Sequence, residues 1–256
     1  MDGLTFLGII VGFGAIIFGQ HLEGGSIHSL LNFPAFLIVV GGTLGAAMLQ
    51  TPYKIFKRAM QISVWAFKSR KFPFDRTRSQ IVDMARKSRQ LGLIALEELV
   101  DKEPDPIIKM GLELLVVGID KVTIRHVLET EIDRMEANDL QAAKVYESMG
   151  GYAPTIGILG AVLGLIHVMQ NLSDPNTLGS GIAVAFVATI YGVGLANLLI
   201  IPIAHKIKTA ITQKVQFQQM IVEGMVCMAG GESPQLIALK LNSFDKQLSY
   251  GKKKKK

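Results

Sequence analysis

Four long stretches of this chain contain no Asp, Glu, Lys or Arg: Gly3–Leu22, Gly24–Tyr53, Ser148–Ser173 and Pro175–His205. A bilayer hydrocarbon core about 30 Å thick is crossed by about 20 apolar residues in a helix, so each stretch is long enough to span it. A globular core helix accounts for one such run, but four in a 256-residue chain point to the membrane. Overall only 19% of the residues are charged, below the soluble average of about 25%. The first run lacks the basic start and small-residue cleavage site of a signal peptide and reads as a retained span. Cys227 is the only cysteine, so no intrachain disulfide forms, and its simplest role is that of a small buried hydrophobe.

The basic residues orient the spans. All 27 Lys and Arg residues fall between Lys54 and Lys144 or from Lys206 onward. The short connections at residues 21–29 and 171–179 have none, and Glu23 and Asp174 are their charged groups. Positive residues near span ends mark the cytoplasmic side, so the two long segments and both termini are expected inside a cell inner membrane. The expected fold is an all-α integral membrane protein. Four transmembrane helices carry a helical cytoplasmic domain inserted between spans two and three, and a cytoplasmic C-terminal helical extension follows. In residue terms, 1–50 holds spans one and two with a short outer loop, and 51–149 the cytoplasmic domain. Spans three and four occupy 150–205, and the C-terminal helices and Lys-rich tail 206–256.

Spans are predicted at Leu4–Gly19, Leu30–Leu49, Tyr152–Gln170 and Gly181–Ala204. Thr51-Pro52 reads as an N-cap with Pro at the first helical position, opening a basic amphipathic helix over Lys54–Lys68. That helix either lies on the inner leaflet with Trp65 at the interface or packs on the cytoplasmic domain. Further helices are predicted at Arg78–Leu91, Leu93–Val100, Pro106–Val117 and Lys121–Glu147, the last capped by Asp120 and able to run on into span three. After span four come Lys206–Met228 and, behind Gly230-Gly231, a short helix capped by Ser233 with Pro234 at its start. The five lysines Lys252–Lys256 form either a solvated tail or a contact with anionic membrane lipids. Basic and acidic residues interleave elsewhere, so no stripe for nucleic acid is visible.

Spans three and four carry strips of small residues. Ala153, Gly157, Gly160, Ala161 and Gly164 recur on the third, and Ala185, Ala188, Gly192 and Ala196 on the fourth. Such strips let helix backbones approach closely in lipid. Pairing within the chain uses them; two full strips also predict a further helix from another chain. What is missing matters more. Membrane proton relays and ion sites rest on acidic or basic side chains, and these spans offer only Thr43, Thr155, Thr189, Tyr191, Asn197 and His167. His167 sits near the outer end of span three, where an interfacial role outweighs proton carriage. No phosphate loop, zinc ligand set or nucleophile–base constellation is present, so no metal, no cofactor and no enzyme activity are expected.

In sequence order, Glu23-Gly24-Gly25, Ile38-Val39-Val40-Gly41-Gly42-Thr43, Ala95-Leu96-Glu97-Glu98 and Lys109–Val116 precede the strongest motifs. These are Gly150-Gly151-Tyr152-Ala153-Pro154-Thr155-Ile156-Gly157 with Leu163–Ile166, and Ala185–Gly192 with Asn197. Together they resemble the MotA/PomA family, the A subunit of the flagellar stator, and look closest to the MotC type. The resemblance implies a homopentameric ring around a MotB-like B subunit, which has one membrane span, the ion-binding Asp and a peptidoglycan-binding domain. Ion flow then turns the ring against the rotor protein FliG. It implies rotor contact at Arg89, Glu97 and Glu98, with Gln90 departing from the basic residue of some members. It also implies an ion-pathway or B-subunit-facing role for Pro154, Gly157, Ala161, Gly164, Ala188, Thr189, Tyr191 and Pro202. Sodium-driven relatives place a hydroxyl where this chain has Ala161, so proton coupling is expected. A sodium-driven stator and an ExbB/TolQ-like energiser are the alternatives.

Overall fold

The computed structural model describes residues 3–68, 72–170 and 175–249. Among them every regular element is helical. The Lys252–Lys256 tail and Asp174 lie outside the described residues. The chain forms two compact units, one from residues 1–70 and 138–210 and the other from 71–137 and 211–256.

The first unit contains the membrane helices. Four helical stretches are long and apolar enough to cross a bilayer: Gly3–Leu22, Ile27–Gln50, Lys121–Gln170 and Gly181–Ala229. Span one buries no residue within a single chain, and Leu4, Leu7, Ile10, Val11 and Phe18 are exposed along it. In water such a surface is a liability; in hydrocarbon it is at home. Span two is not a uniform α-helix. Asn32 caps its start by accepting from Ala35 N at 3.0 Å, with Pro34 in the first turn, and Leu37–Gly41 widens into a π-turn. Its buried side chains Ala35, Val39, Thr43 and Ala47 recur every four residues on one face.

Span three is the C-terminal part of a single 50-residue helix, Lys121–Gln170, started by Asp120, which accepts from Val122 N and Thr123 N at 2.9 and 3.1 Å. Thr51, by contrast, is not an N-cap. It closes the preceding helix in an extended conformation (φ −109°, ψ 126°), and Pro52 takes the cap position without a side-chain bond. Pro52 is itself extended (φ −56°, ψ 140°), the backbone geometry of a cap rather than of a first helical residue, so the helix starts one position later, at Tyr53.

The amphipathic segment is two helices, Tyr53–Ile62 and Val64–Phe67. Ala59, Ile62 and Ala66 are buried, and Tyr146 donates its hydroxyl to the Ala59 carbonyl at 3.2 Å. Arg58 bonds Asp139 at 2.7 Å and stands 5.5 Å over the Trp65 ring. The segment is thus fastened to the long helix.

The second unit is a soluble-type core. Ile81, Leu96, Leu112, Leu115, Leu128 and Ile221 are almost fully buried there, and Phe217 packs between Phe72 and Phe74. Arg125 bridges to Glu223 at 2.7 Å. Gly92 (φ 85°) and Gly118 (φ 80°) turn the chain through the left-handed region between its helices. Cys227 is buried in this core.

Asp139 keeps only 2% of its side chain exposed, against 31% for Arg58. Removing the cation takes charge compensation from a buried carboxylate, whereas removing the acid leaves an arginine able to reach water. Arg58→Met is therefore expected to lower stability by about 3 kcal/mol and Asp139→Asn by clearly less. Thermal melts of the purified protein check the order; equal losses would refute it.

Candidate functional site

Spans three and four meet backbone to backbone. A Cβ placed on Gly192 would stand 2.5 Å from the Ala153 carbonyl oxygen and 3.0 Å from the Gly157 Cα. One on Gly157 would stand 2.8 Å from the Ala188 carbonyl oxygen. Toward the C-terminal end of span three, one on Gly164 would meet Ala185 N and Gly181 O, both at 2.9 Å. No side chain fits at these places, so glycine is required by space. Span two closes the third side, with Ile38 against Gly160 and Ile156 against Gly42.

The two small-residue strips face each other, and Gly157, Gly164 and Ala188 are buried within the single chain. Pro154 stands beside the seam, its Cα 3.2 Å from the Cβ position of Gly192. Ala161 and Thr189 are half-buried beside it, and Pro202 is exposed.

The polar groups of the spans mostly bond to their own chain. Thr155 Oγ1 donates to Tyr152 O at 2.8 Å and Thr189 Oγ1 to Ala185 O at 3.3 Å. Asn197 Nδ2 donates to Val193 O at 2.9 Å, inside the π-helical stretch Leu195–Ile200. Tyr191 is a clamp: its hydroxyl donates to Leu30 O and accepts from Asn32 N at 3.2 Å, and its ring meets Phe36 edge-on at 6.4 Å. It fixes where span two begins. Thr43 is the exception: the residue is 1% exposed, and its hydroxyl has no hydrogen-bond partner among the described residues. His167 lines a pocket of about 600 Å³ with His28, Asn32, Gly164 and Gly181.

The other unit carries the predicted charged contact. Arg89 ends the helix Phe74–Leu91 and Glu97 opens Glu97–Val100; both are exposed, and neither makes an ion pair among the described residues. Glu98 is different. Lys87 bonds it directly, and that hydrogen bond and the lysine charge hold its carboxyl below the usual range. Sequence reasoning missed Lys87, Asn32 and both π-turns. A π-turn has no residue signature, and the Lys87–Glu98 pair spans an intervening break in the chain. No cluster of His, Cys, Asp and Glu able to hold a metal occurs among the described residues.

Four candidate spans, a glycine seam and no Asp, Glu, Lys or Arg in the charge-free runs define a multi-span helical membrane subunit. The family model described as the MotA/TolQ/ExbB proton channel family matches residues 100–220, and one described as Motility protein A N-terminal matches 6–90. Motility protein A of Bacillus subtilis is 33% identical over 94% of this chain and 90% of its own length. The solved structure of C. jejuni MotAB matches with a TM-score of 0.87 and 30% identity, over 95% of this chain and 96% of that one. The flagellar MotAB stator complex from Bacillus subtilis matches with a TM-score of 0.83 and 32% identity, over 94% and 95%. The chain belongs to the motility protein A family, the stator subunits of the flagellar motor. It is therefore a multi-pass inner-membrane protein and an ion-channel component, not an enzyme.

Gly192→Ala places a methyl against backbone that cannot step aside, at a cost of about 1–3 kcal/mol. Gly151→Ala meets nothing within 4 Å and should be neutral or mildly stabilising. Thermal midpoints of the two purified variants test the contrast.

Proposed function

We infer that this chain is the A subunit of a proton-driven stator, and that it works as a pentameric ring around a B subunit of MotB type. The carrying observation is the absence of Asp, Glu, Lys and Arg from all four spans. A proton crossing hydrocarbon needs a titratable group to rest on, and this chain provides no acidic one there. The acid then belongs to the B subunit's single membrane helix, whose peptidoglycan-binding domain holds it still while the ring turns. The relatives solved as MotAB complexes support such a partner.

The basic long segments lie on the cytoplasmic side, as do both termini. There Arg89 and Glu97 present opposite charges to FliG. Glu98 contributes less, because Lys87 already engages it. The contact should weaken with salt, as exposed charge pairs do.

Ala161 stands where a hydroxyl would help ligate sodium, which favours the proton. An ExbB/TolQ-like energiser is disfavoured by the fourth span and by the match to the Motility protein A N-terminal model over residues 6–90.

Two experiments test the reading. Stator-dependent swimming should persist when sodium is replaced by potassium, and its loss would convert the assignment to sodium. Reversing both charges, Arg89→Glu with Glu97→Arg, should impair swimming in a strain with no second stator set while leaving assembly with the B subunit intact. Full swimming would remove these residues from the rotor contact.

A further inference from the structure

A second cavity opens where span one, the helix Val64–Phe67 and the basic end of span four converge. It measures about 290 Å³ and is lined by residues of the membrane unit alone. Leu4, Ile9, Phe67, Leu198 and Ile203 make apolar walls, and Lys206 and Thr5 stand at one end. Lys206 donates its ammonium to the Thr5 hydroxyl. Lys68, exposed, follows directly on the wall helix, and half-buried Trp65 lies beside Ala66 in that wall.

From Lys206 the wall of span four reaches to Asn197, about 13 Å along the axis at about 1.5 Å per residue. That is close to the depth of one hydrocarbon leaflet, about 15 Å. The π-helical stretch Leu195–Ile200 forms the deep part. Pro202 beside it offers no N–H to the ladder, so this length of span four presents an uneven surface to span one. Gly8 opens onto the crevice, and a Cβ there would meet nothing within 4 Å.

We propose that this crevice is a binding site for one anionic phospholipid. An acyl chain lies in the apolar slot, and the phosphate sits between Lys206 and Lys68. The charge pattern selects the occupant. A membrane helix from another copy would need an apolar surface along the whole groove, whereas this groove has Lys206 at one end and, apart from Asn197, whose amide nitrogen is bonded to the Val193 carbonyl of its own helix, apolar walls beyond it, the polarity of a lipid. Its volume, at the low end of small-ligand pockets (about 300–1,000 Å³), also suits a single chain. The site is independent of the rotor and coupling-ion assignments, and lipid retention reads it without any motility measurement.

The test uses the full chain co-purified with its B subunit and equilibrated with mixed vesicles of phosphatidylglycerol and phosphatidylcholine of the same acyl composition. Native mass spectrometry then counts retained lipid per complex. Wild type should retain phosphatidylglycerol over phosphatidylcholine by about thirtyfold, the equivalent of about 1 kcal/mol for each of the two lysines near the surface. Lys206→Gln should lower that preference to about fivefold while lipid is still retained. Gly8→Leu should plug the slot and lower retention of both lipids, with subunit stoichiometry unchanged. Undiminished selectivity in Lys206→Gln, or unchanged retention in Gly8→Leu, would overturn the proposal. So would wild type holding no lipid, the outcome expected if a neighbouring chain fills the crevice.

Discussion

Everything in the membrane unit follows from the distance at which spans three and four pack. At Gly157, Gly164 and Gly192 the facing atoms are backbone, and a single methyl would collide with a carbonyl, an amide nitrogen or a Cα. In lipid no hydrophobic effect drives helices together, so close van der Waals approach and the burial of small residues must do it. The seam has a second consequence. Once the two backbones touch, the larger side chains on both helices are forced outward: Ile158, Leu159, Leu163, Phe186 and Ile190 are exposed. These surfaces, with those of span one, are what a single chain offers to lipid, to other copies and to a B subunit.

Tyr191 shows how one aromatic side chain adjusts this arrangement. Helical side chains lean toward the N-terminus of their helix, so Tyr191 reaches back along span four to the start of span two. There it satisfies both the Leu30 carbonyl and the Asn32 amide. Groups at a helix start have no partner within the helix, and in a membrane an unsatisfied one is expensive. Tyr191 thus serves as a structural fastener, though it stands within the motif that marks the family.

Topology and chemistry were legible in the sequence to different depths. Charge-free runs gave the spans because lipid exacts the same rule at every residue. Asp120 and Ser233 declared their helix starts, since cap chemistry is local; Ser233 accepts from Leu236 N at 3.3 Å. Thr51 misled because Pro52 stays extended and takes the cap position itself, so the helix starts one residue later than the Thr-Pro pattern predicts. The small-residue strips were visible, but not what faced them: spacing reports a flat helix face and says nothing about its partner. The Lys87–Glu98 bond was hidden for the same reason, as it joins two helices across the Gly92 turn. The motif Gly41-Gly42-Thr43 gave no hint that Gly42 makes room for Ile156.

The hydroxyls of the spans bear on which ion such a subunit would serve. Thr155 and Thr189 each donate to a carbonyl of their own helix, which fixes their rotamers. Fixed hydroxyls can still accept, but these two oxygens make a poor coordination sphere for a metal cation, whose lost hydration must be replaced by several ligands at once. Ala161 adds none. A proton has no such requirement, because a single carboxylate carries it. A membrane wall poor in oxygen and empty of charge keeps the neutral, protonated carboxyl the cheaper state until it meets water. That property supports a sleeve for a partner's acid better than an ion site of the chain's own.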